Sequence, residues 1–372
     1  MRRGLPLAGA ALFLVSSALA RGGLFGAGGY GDADLYGHYA HLMAAGHWPY
    51  RDFYDEYPVG AQPFFLVVHW LPGTFVGALR WTLALCGAAA VAVMLASFRR
   101  SVVAALVAGL SPLVIGPVFL NTYDLFPALL VVVAVAAWLR GHERTTWVFV
   151  ALAIAVKVYA VALVPFVLLD TARRRRALEW MAGILVLLHL PFLVTGPGGV
   201  RFSYWLQLRR GLESESLGGG ILLVLHRLGL VGVTLKDEAP GSRDLVGTLP
   251  DVVAALSSVV VVAAVAYVWL LYRRRRRERV AAAAAAVTAF VAFGKVLSPQ
   301  YLTWLAPLVP AVSLDAAVLL AAALLLTRLE WEEFVKRHGG TAHWGQVLSW
   351  WILARDLVLV SVFAATTRRI RR

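Results

Sequence analysis

The sequence predicts an all-α, multi-pass membrane protein, and three observations carry that reading. Of 372 residues, 60% are hydrophobic and only 15% are charged, with a mean hydropathy of +0.73. An average soluble domain is nearer half apolar and a quarter charged. Long apolar runs such as Trp81–Phe98, Val102–Phe119 and Val252–Leu271 match the ~20 residues a helix needs to cross a bilayer. In hydrocarbon a helix satisfies its own backbone groups. Finally, 20 of the 35 basic residues flank apolar runs: Arg2 and Arg3, Arg99 and Arg100, Arg140 and Arg144, Arg173 to Arg176, Arg273 to Arg277 with Arg279, and Arg368, Arg369, Arg371 and Arg372. That placement follows the positive-inside rule for cytoplasmic anchors. It argues against nucleic acid as a partner, despite a net charge of +14.

Fixing those clusters inside threads the chain as one integral membrane domain, residues 1–372, with both termini cytoplasmic. The first span leaves near residue 5. Its end, Ala18-Leu19-Ala20, resembles a signal-peptide cleavage site. An uncleaved span is preferred because many spans follow. Residues 22–73 then form a first large extracytoplasmic loop. Thr74–Phe98 returns, Val102–Phe119 leaves and Thr122–Leu139 returns. A single span from Thr145 to Leu169 would put Arg173 to Arg176 outside, so two short helices turning near Lys157 are expected there. Ala177–Val194 leaves, and residues 195–249 form a second large extracytoplasmic loop. Val252–Tyr272 returns, and Val280–Phe293 leaves to a turn at GKVLSPQY. Leu302–Leu326 is too long for one crossing and is expected to split near Asp315. That puts Arg328–Trp344 outside, and Leu348–Ala365 ends at the last arginines. The sum is about twelve transmembrane or half-membrane helices.

Chemistry concentrates outside. The stretch Gly31–Pro58 holds Asp32, Asp34, Asp52, Asp55 and Glu56, five of the chain's 21 acidic residues. Asp32 or Asp34 opens a short helix, either as its cap or as a general base whose basicity rises where solvation is lost. From the residues alone, capping is the stronger reading. Asp34, His38 and His41 share one helical face, which suits a metal, but no fourth ligand is spaced nearby and no metal or other cofactor is expected. In PYRDFYDEYP the tyrosines suit an interfacial belt or a wall for a sugar or acceptor, with Arg51 pairing Asp52 or Asp55. Lys157 and Lys295, two of only four lysines, fall at turns between apolar segments. Ionisable groups at that depth are functional candidates, and a lysine suits a phosphate as a point charge. Asp124 either caps its helix or orients a neighbouring cation. Ser298, Gln300, Tyr301 and Trp304 suit a sugar or the ends of a broken helix. For LRRGLESESLGGG, carrying Glu213 and Glu215, the expectation is a solvated helix with a flexible glycine turn. Cys86 lies in an apolar run and reads as a small packing residue. No P-loop, GxSxG or HExxH motif occurs.

The run D-x-x-x-Y at Asp32 to Tyr36, followed by G-x-x-PYRDF-x-x-EYP from Gly46 to Pro58, resembles glycosyltransferase family 87. YDLFPALL at Tyr123, KVYAVALVP at Lys157, RGLESESL at Arg210 and KVLSPQYLTW at Lys295 are similar to that family too. Val59 departs, where the family often has a second proline. The resemblance implies a GT-C fold and an inverting transfer of a sugar, mannose in that family, from a polyprenyl phosphate to a glycan or glycolipid acceptor. It further implies a plasma-membrane enzyme with an extracytoplasmic site, and a catalytic aspartate that maps onto Asp32. The accompanying substrate-binding candidates are Asp34, Tyr36, Arg51, Asp52, Glu56, Tyr57, Asp124, Lys157, Glu215, Lys295, Gln300, Tyr301 and Trp304. The competing reading is a lipid or solute transporter. A transporter tends to hold ionisable groups at mid-membrane between repeated halves, whereas here they cluster towards one face without a visible repeat.

Overall fold

A computed structural model describes residues 4–22, 31–98, 101–116, 118–238, 242–337 and 344–372. The expected anchors Arg2, Arg3, Arg99 and Arg100 lie outside the described residues. The chain forms two compact units, Met1–Arg209 and Arg210–Arg372.

In the first unit, α1 (Leu5–Arg21) packs on α4 (Phe75–Ser97) and α5 (Val102–Ile115). Between α1 and α4 lie α2 (Ala33–Ala44) and α3 (Ala61–His69), the helices of the first polar segment. Helix starts are set by hydroxyl caps: Thr74 accepts from the Gly77 amide at 3.2 Å and Ser101 from Ala104 at 3.5 Å, satisfying orphan N–H groups. A short α6 (Val118–Asn121) precedes α7 (Leu125–Leu139), which packs on α8 (Glu143–Val156). α8 ends at Lys157, whose backbone is extended, and a 3₁₀ segment over Val158–Leu163 leads into α9 (Val164–Asp170). The break expected near Lys157 is therefore present. α10 (Arg174–Thr195) carries an almost wholly exposed apolar surface and leads into α11 (Pro197–Arg209).

The second unit begins with a strand, β1 (Leu212–Glu213), then α12 (Leu217–Arg227), β2 (Thr234–Glu238) and β3 (Ser242–Val246). The three strands form an antiparallel sheet in the order β1-β3-β2, with Leu212 opposite Leu245. The second polar segment thus adds a small sheet to an otherwise helical protein. LRRGLESESLGGG is not a solvated helix with a flexible turn. Ser216 caps α12 through the Gly219 amide at 3.1 Å, and Gly218 to Gly220 are its buried first turn. The strand side chains favour this: Leu212 and Leu245 share one buried cluster with Leu222 of α12 and Ile352 of α17.

α13 (Thr248–Arg274) packs on α14 (Arg279–Phe293), whose run Ala281–Ala286 is fully buried. Small side chains there let neighbouring helices approach closely. After a turn and a short α15 (Leu302–Leu305), α16 (Leu314–Arg337) packs against α17 (Trp344–Arg371). The split expected near Asp315 falls just before it, because Ser313 opens α16 by accepting from the Ala316 amide at 3.2 Å. α16 continues helically through Arg328 to Arg337; residues 338–343 lie outside the described residues. Among the described residues, α4, α10, α13 and the Ser349–Arg371 part of α17 are long and apolar enough to cross a membrane, and six further apolar helices are shorter.

Candidate active site

The first unit's site begins at Gly31. Its φ is +120°, and a Cβ there would stand 2.5 Å from the Asn121 Cβ and 2.7 Å from its carbonyl, so only glycine fits. Asn121 is held in turn by the Arg80 Nε, which donates to its Oδ1 at 2.8 Å. This fixes the start of α2. Asp32 occupies the N-cap position, yet its side chain caps nothing. Its Oδ2 instead accepts hydrogen bonds from the Tyr36 and Tyr57 hydroxyls at 3.2 and 3.0 Å. Oδ1 makes no hydrogen bond among the described residues. Burial raises the Asp32 pKa, while the two phenols and Lys157 pull it back down. The carboxylate is therefore a stronger base than a solvated aspartate, yet both tyrosines favour its charged form.

Aromatic rings build the wall around it. Tyr36 stacks on Phe65 with centroids 4.6 Å apart, and its edge meets Tyr123 at 5.5 Å. Tyr57 also meets Tyr123 at 5.5 Å. The face of Tyr123 receives the Lys157 ammonium 4.6 Å from its centroid, a cation–π contact. Lys157 Nζ lies 2.6 Å from Asp124 Oδ1, the side chains being 17% and 0% exposed. Asp124 therefore orients the lysine and does not cap α7. One tyrosine ring thus joins the group that holds Asp32 to the group that holds Lys157.

The Pro49–Pro58 loop presents Tyr57. The Tyr50 hydroxyl donates to the Tyr57 carbonyl at 2.5 Å, and Gln62 Nε2 donates to Tyr50 Oη at 3.1 Å. The Tyr57 amide donates to Asp55 Oδ1 at 2.8 Å. Burial pushes the Asp55 carboxyl up to about 7. Gly60 closes the loop against the end of α8: its amide donates to the Ala155 carbonyl at 2.9 Å, and a Cβ would stand 2.6 Å from that carbonyl carbon. Tyr57 is thereby anchored beside the break at Lys157.

Other candidates stand apart from this group. Arg51 and Asp52 are exposed and form a two-pronged pair at 2.7 Å in each contact. Asp52 also accepts from the Trp48 amide at 2.8 Å, and these partners lower its pKa to about 2. The Glu56 carbonyl accepts from Gln207 Nε2 at 3.2 Å. Asp34, His38 and His41 are exposed along α2. Among the described residues no three His, Cys, Asp or Glu side chains form a metal-ligating group.

The second unit holds its own polar group. The Glu213 amide donates to the Lys295 carbonyl at 2.9 Å, and Arg210 lies 3.4 Å from the Glu213 carboxylate. Burial pushes Glu213 up to about 8, with Arg210 opposing. Lys295 is half-buried, and its pKa is lowered first by burial and then by Arg210. Ser298 donates to the Gln300 side chain, and Tyr301 stacks on Trp304 at 4.2 Å. Sequence reasoning missed a buried hub. Arg355 in α17 is 0% exposed and pairs with Glu215 at 3.2 Å, Glu330 at 2.8 Å and Asp356 at 3.0 Å. It also donates to the Glu215 carbonyl. The signal was present as adjacent opposite charges inside the apolar run WILARDLVLV, since ionisable residues in such helices need partners.

A carboxylate with one oxygen fixed by phenols, beside an oriented ammonium, can take a proton from a neutral hydroxyl while a cation steadies a developing anion. A family model for glycosyltransferase family 87 matches residues 56–299, about two thirds of the chain, and the chain belongs to that family. The match starts after Asp32 and ends before Arg355. Similar solved structures include two of ArnT from Cupriavidus metallidurans. The one bound to undecaprenyl phosphate has a TM-score of 0.48 and 15% identity, covering 98% of this chain and 76% of that one. The apo one has a TM-score of 0.47 and 15% identity, covering 92% and 73%. No curated protein matches.

Proposed function

We propose that the protein is an inverting glycosyltransferase. It moves a sugar, mannose in our reading, from a polyprenyl phosphate to a hydroxyl of a glycan or glycolipid at the extracytoplasmic face of the plasma membrane. The observation that carries this is the Asp32 carboxylate, whose Oδ2 is held by Tyr36 and Tyr57 while Oδ1 stays open. Membership of glycosyltransferase family 87 supports the reaction class.

In this reading the acceptor oxygen attacks the anomeric carbon from the face opposite the phosphate. Asp32 takes its proton, the bond from carbon to phosphate oxygen breaks, and the polyprenyl phosphate leaves with the electron pair. The leaving group is stable as an anion, so no second carboxylate is needed as an acid, unlike in glycosidases. Lys157, pre-oriented by Asp124, steadies the growing charge without reorganising during the step. Lys295, in its own half-buried setting beside Arg210 in the second unit, is a separate candidate for contact with an anion. The reaction is proposed to need no metal, so transfer should persist in chelator.

Asp32→Asn keeps the shape and removes the base. Sugar transfer from a labelled polyprenyl phosphosugar, measured on purified protein, should fall by ~10²–10⁴-fold with the thermal midpoint unchanged. Turnover at the wild-type level would remove Asp32 from the role.

A further inference from the structure

Away from Asp32, the first unit carries a cavity of about 280 Å³ between the start of α8 and the start of α10, lined by Glu143, Arg144, Trp147, Arg173, Arg176 and Trp180. We propose that this cavity binds the phosphate headgroup of an anionic glycerophospholipid. The site is independent of the sugar-transfer reading.

Three features point to that ligand. The first is uncompensated charge. Arg144, Arg173 and Arg176 form no ion pair among the described residues, and the neighbouring Arg175 is the one engaged, by Glu179 at 2.9 Å. The Glu143 carboxylate accepts from the Ala172 amide at 2.9 Å, which ties it to the turn before α10. Three guanidinium groups around one space favour a multiply charged oxyanion, because each offers a planar fork of donors to phosphate oxygens.

The second is pre-organisation. The Arg144 guanidinium lies 5.2 Å from the Trp180 ring centroid, where cation–π contact holds it in place. The cavity floor is fixed as well, since the buried Trp147 donates through Nε1 to Thr171 at 3.1 Å. The third is depth. α10 is a membrane-length helix, Arg174–Thr195, with nearly all its apolar surface exposed. Its first turns therefore stand at headgroup level, where tryptophan and arginine gather and basic pockets between helices take lipid headgroups. The volume suits a headgroup and not a whole lipid.

Plain membrane anchoring by arginine runs would not depend on which run is altered. The full chain is reconstituted in phosphatidylcholine with a minor fraction of phosphatidylglycerol, then stripped stepwise, and retained lipid is counted by native mass spectrometry. Wild type should retain phosphatidylglycerol selectively. Arg144→Gln/Arg173→Gln/Arg176→Gln should bind it about a hundredfold more weakly, as expected for three lost contacts. Arg273→Gln/Arg274→Gln/Arg275→Gln, with the same charge change at the end of α13, should retain it. Equal losses in both variants would overturn the site in favour of general electrostatics. Displacement of the lipid by an equal concentration of inorganic phosphate would overturn the lipid assignment in favour of a soluble anion.

Discussion

Asp32 and Arg355 are both charged groups held by several partners, but they are held in opposite ways. Two neutral phenols on one oxygen of Asp32 favour its charged form, and the other oxygen stays open. Arg355 is completely enclosed, with three carboxylates and a backbone carbonyl around it. The first arrangement spends its hydrogen bonds on keeping a carboxylate ionised and available. The second uses its two terminal nitrogens to tie α17 to the β1–α12 turn and to α16, while Nε holds Asp356 of α17 itself. An oriented charge with a vacant oxygen suits chemistry, whereas an enclosed one suits scaffolding.

The largest expected effect lies at the enclosed group. Arg355→Met leaves three carboxylates without their shared cation, and breaking a buried ion pair costs about 3–5 kcal/mol. Thermal unfolding in detergent should show a strongly lowered midpoint, with part of the loss recovered by adding Glu330→Gln. A wild-type midpoint for Arg355→Met would break the comparison, because the cluster would then not be a scaffold.

A smaller and qualitatively different effect is expected at the open group. The Tyr36 and Tyr57 hydroxyls stabilise the ionised carboxylate, so Tyr36→Phe or Tyr57→Phe should raise the Asp32 pKa further and move the acid limb of the rate profile to higher pH. A hydrogen bond to a charged group contributes about 1.5 kcal/mol or more. On the acid limb each loss should therefore lower turnover about tenfold, with the high-pH plateau within a few-fold of wild type. A lowered thermal midpoint with an unmoved limb would make the tyrosines scaffold, like the partners of Arg355.

The sequence made the membrane class, the break at Lys157 and the acidic first segment readable, because apolar length and charge placement are local properties. It also paired Asp32 with Tyr36, since both fall on one short segment. It did not reveal that Asp32 caps nothing, which depends on Tyr57 arriving from 25 residues away. Nor did it reveal the β1-β3-β2 sheet, because Leu212 and Leu245 meet only through tertiary packing. Arg355 escaped for the same reason: its partners Glu215 and Glu330 lie 140 and 25 residues distant. Lys157 is visible in the sequence as a cation at a turn, and its partner Asp124, 33 residues earlier, fits two roles that only the fold separates.

The smallest effect tests the surface pair that the sequence placed among the binding residues. Arg51 and Asp52 face solvent with side chains 47% and 27% exposed. Exposed pairs add little to stability, so Arg51→Ala should leave the thermal midpoint unchanged, in contrast to Arg355→Met. The Trp48 amide still holds Asp52, so the loop that presents Tyr57 should keep its shape. The acid limb of the rate profile should therefore also stay in place. Any effect must then appear in KM for the acceptor or donor. A raised KM with unchanged kcat would mark Arg51 as a binding contact, since uniform binding is lost without loss of transition-state stabilisation. Unchanged KM and kcat together would reduce the pair to a clip on the turn, leaving substrate contact to the buried aromatic wall.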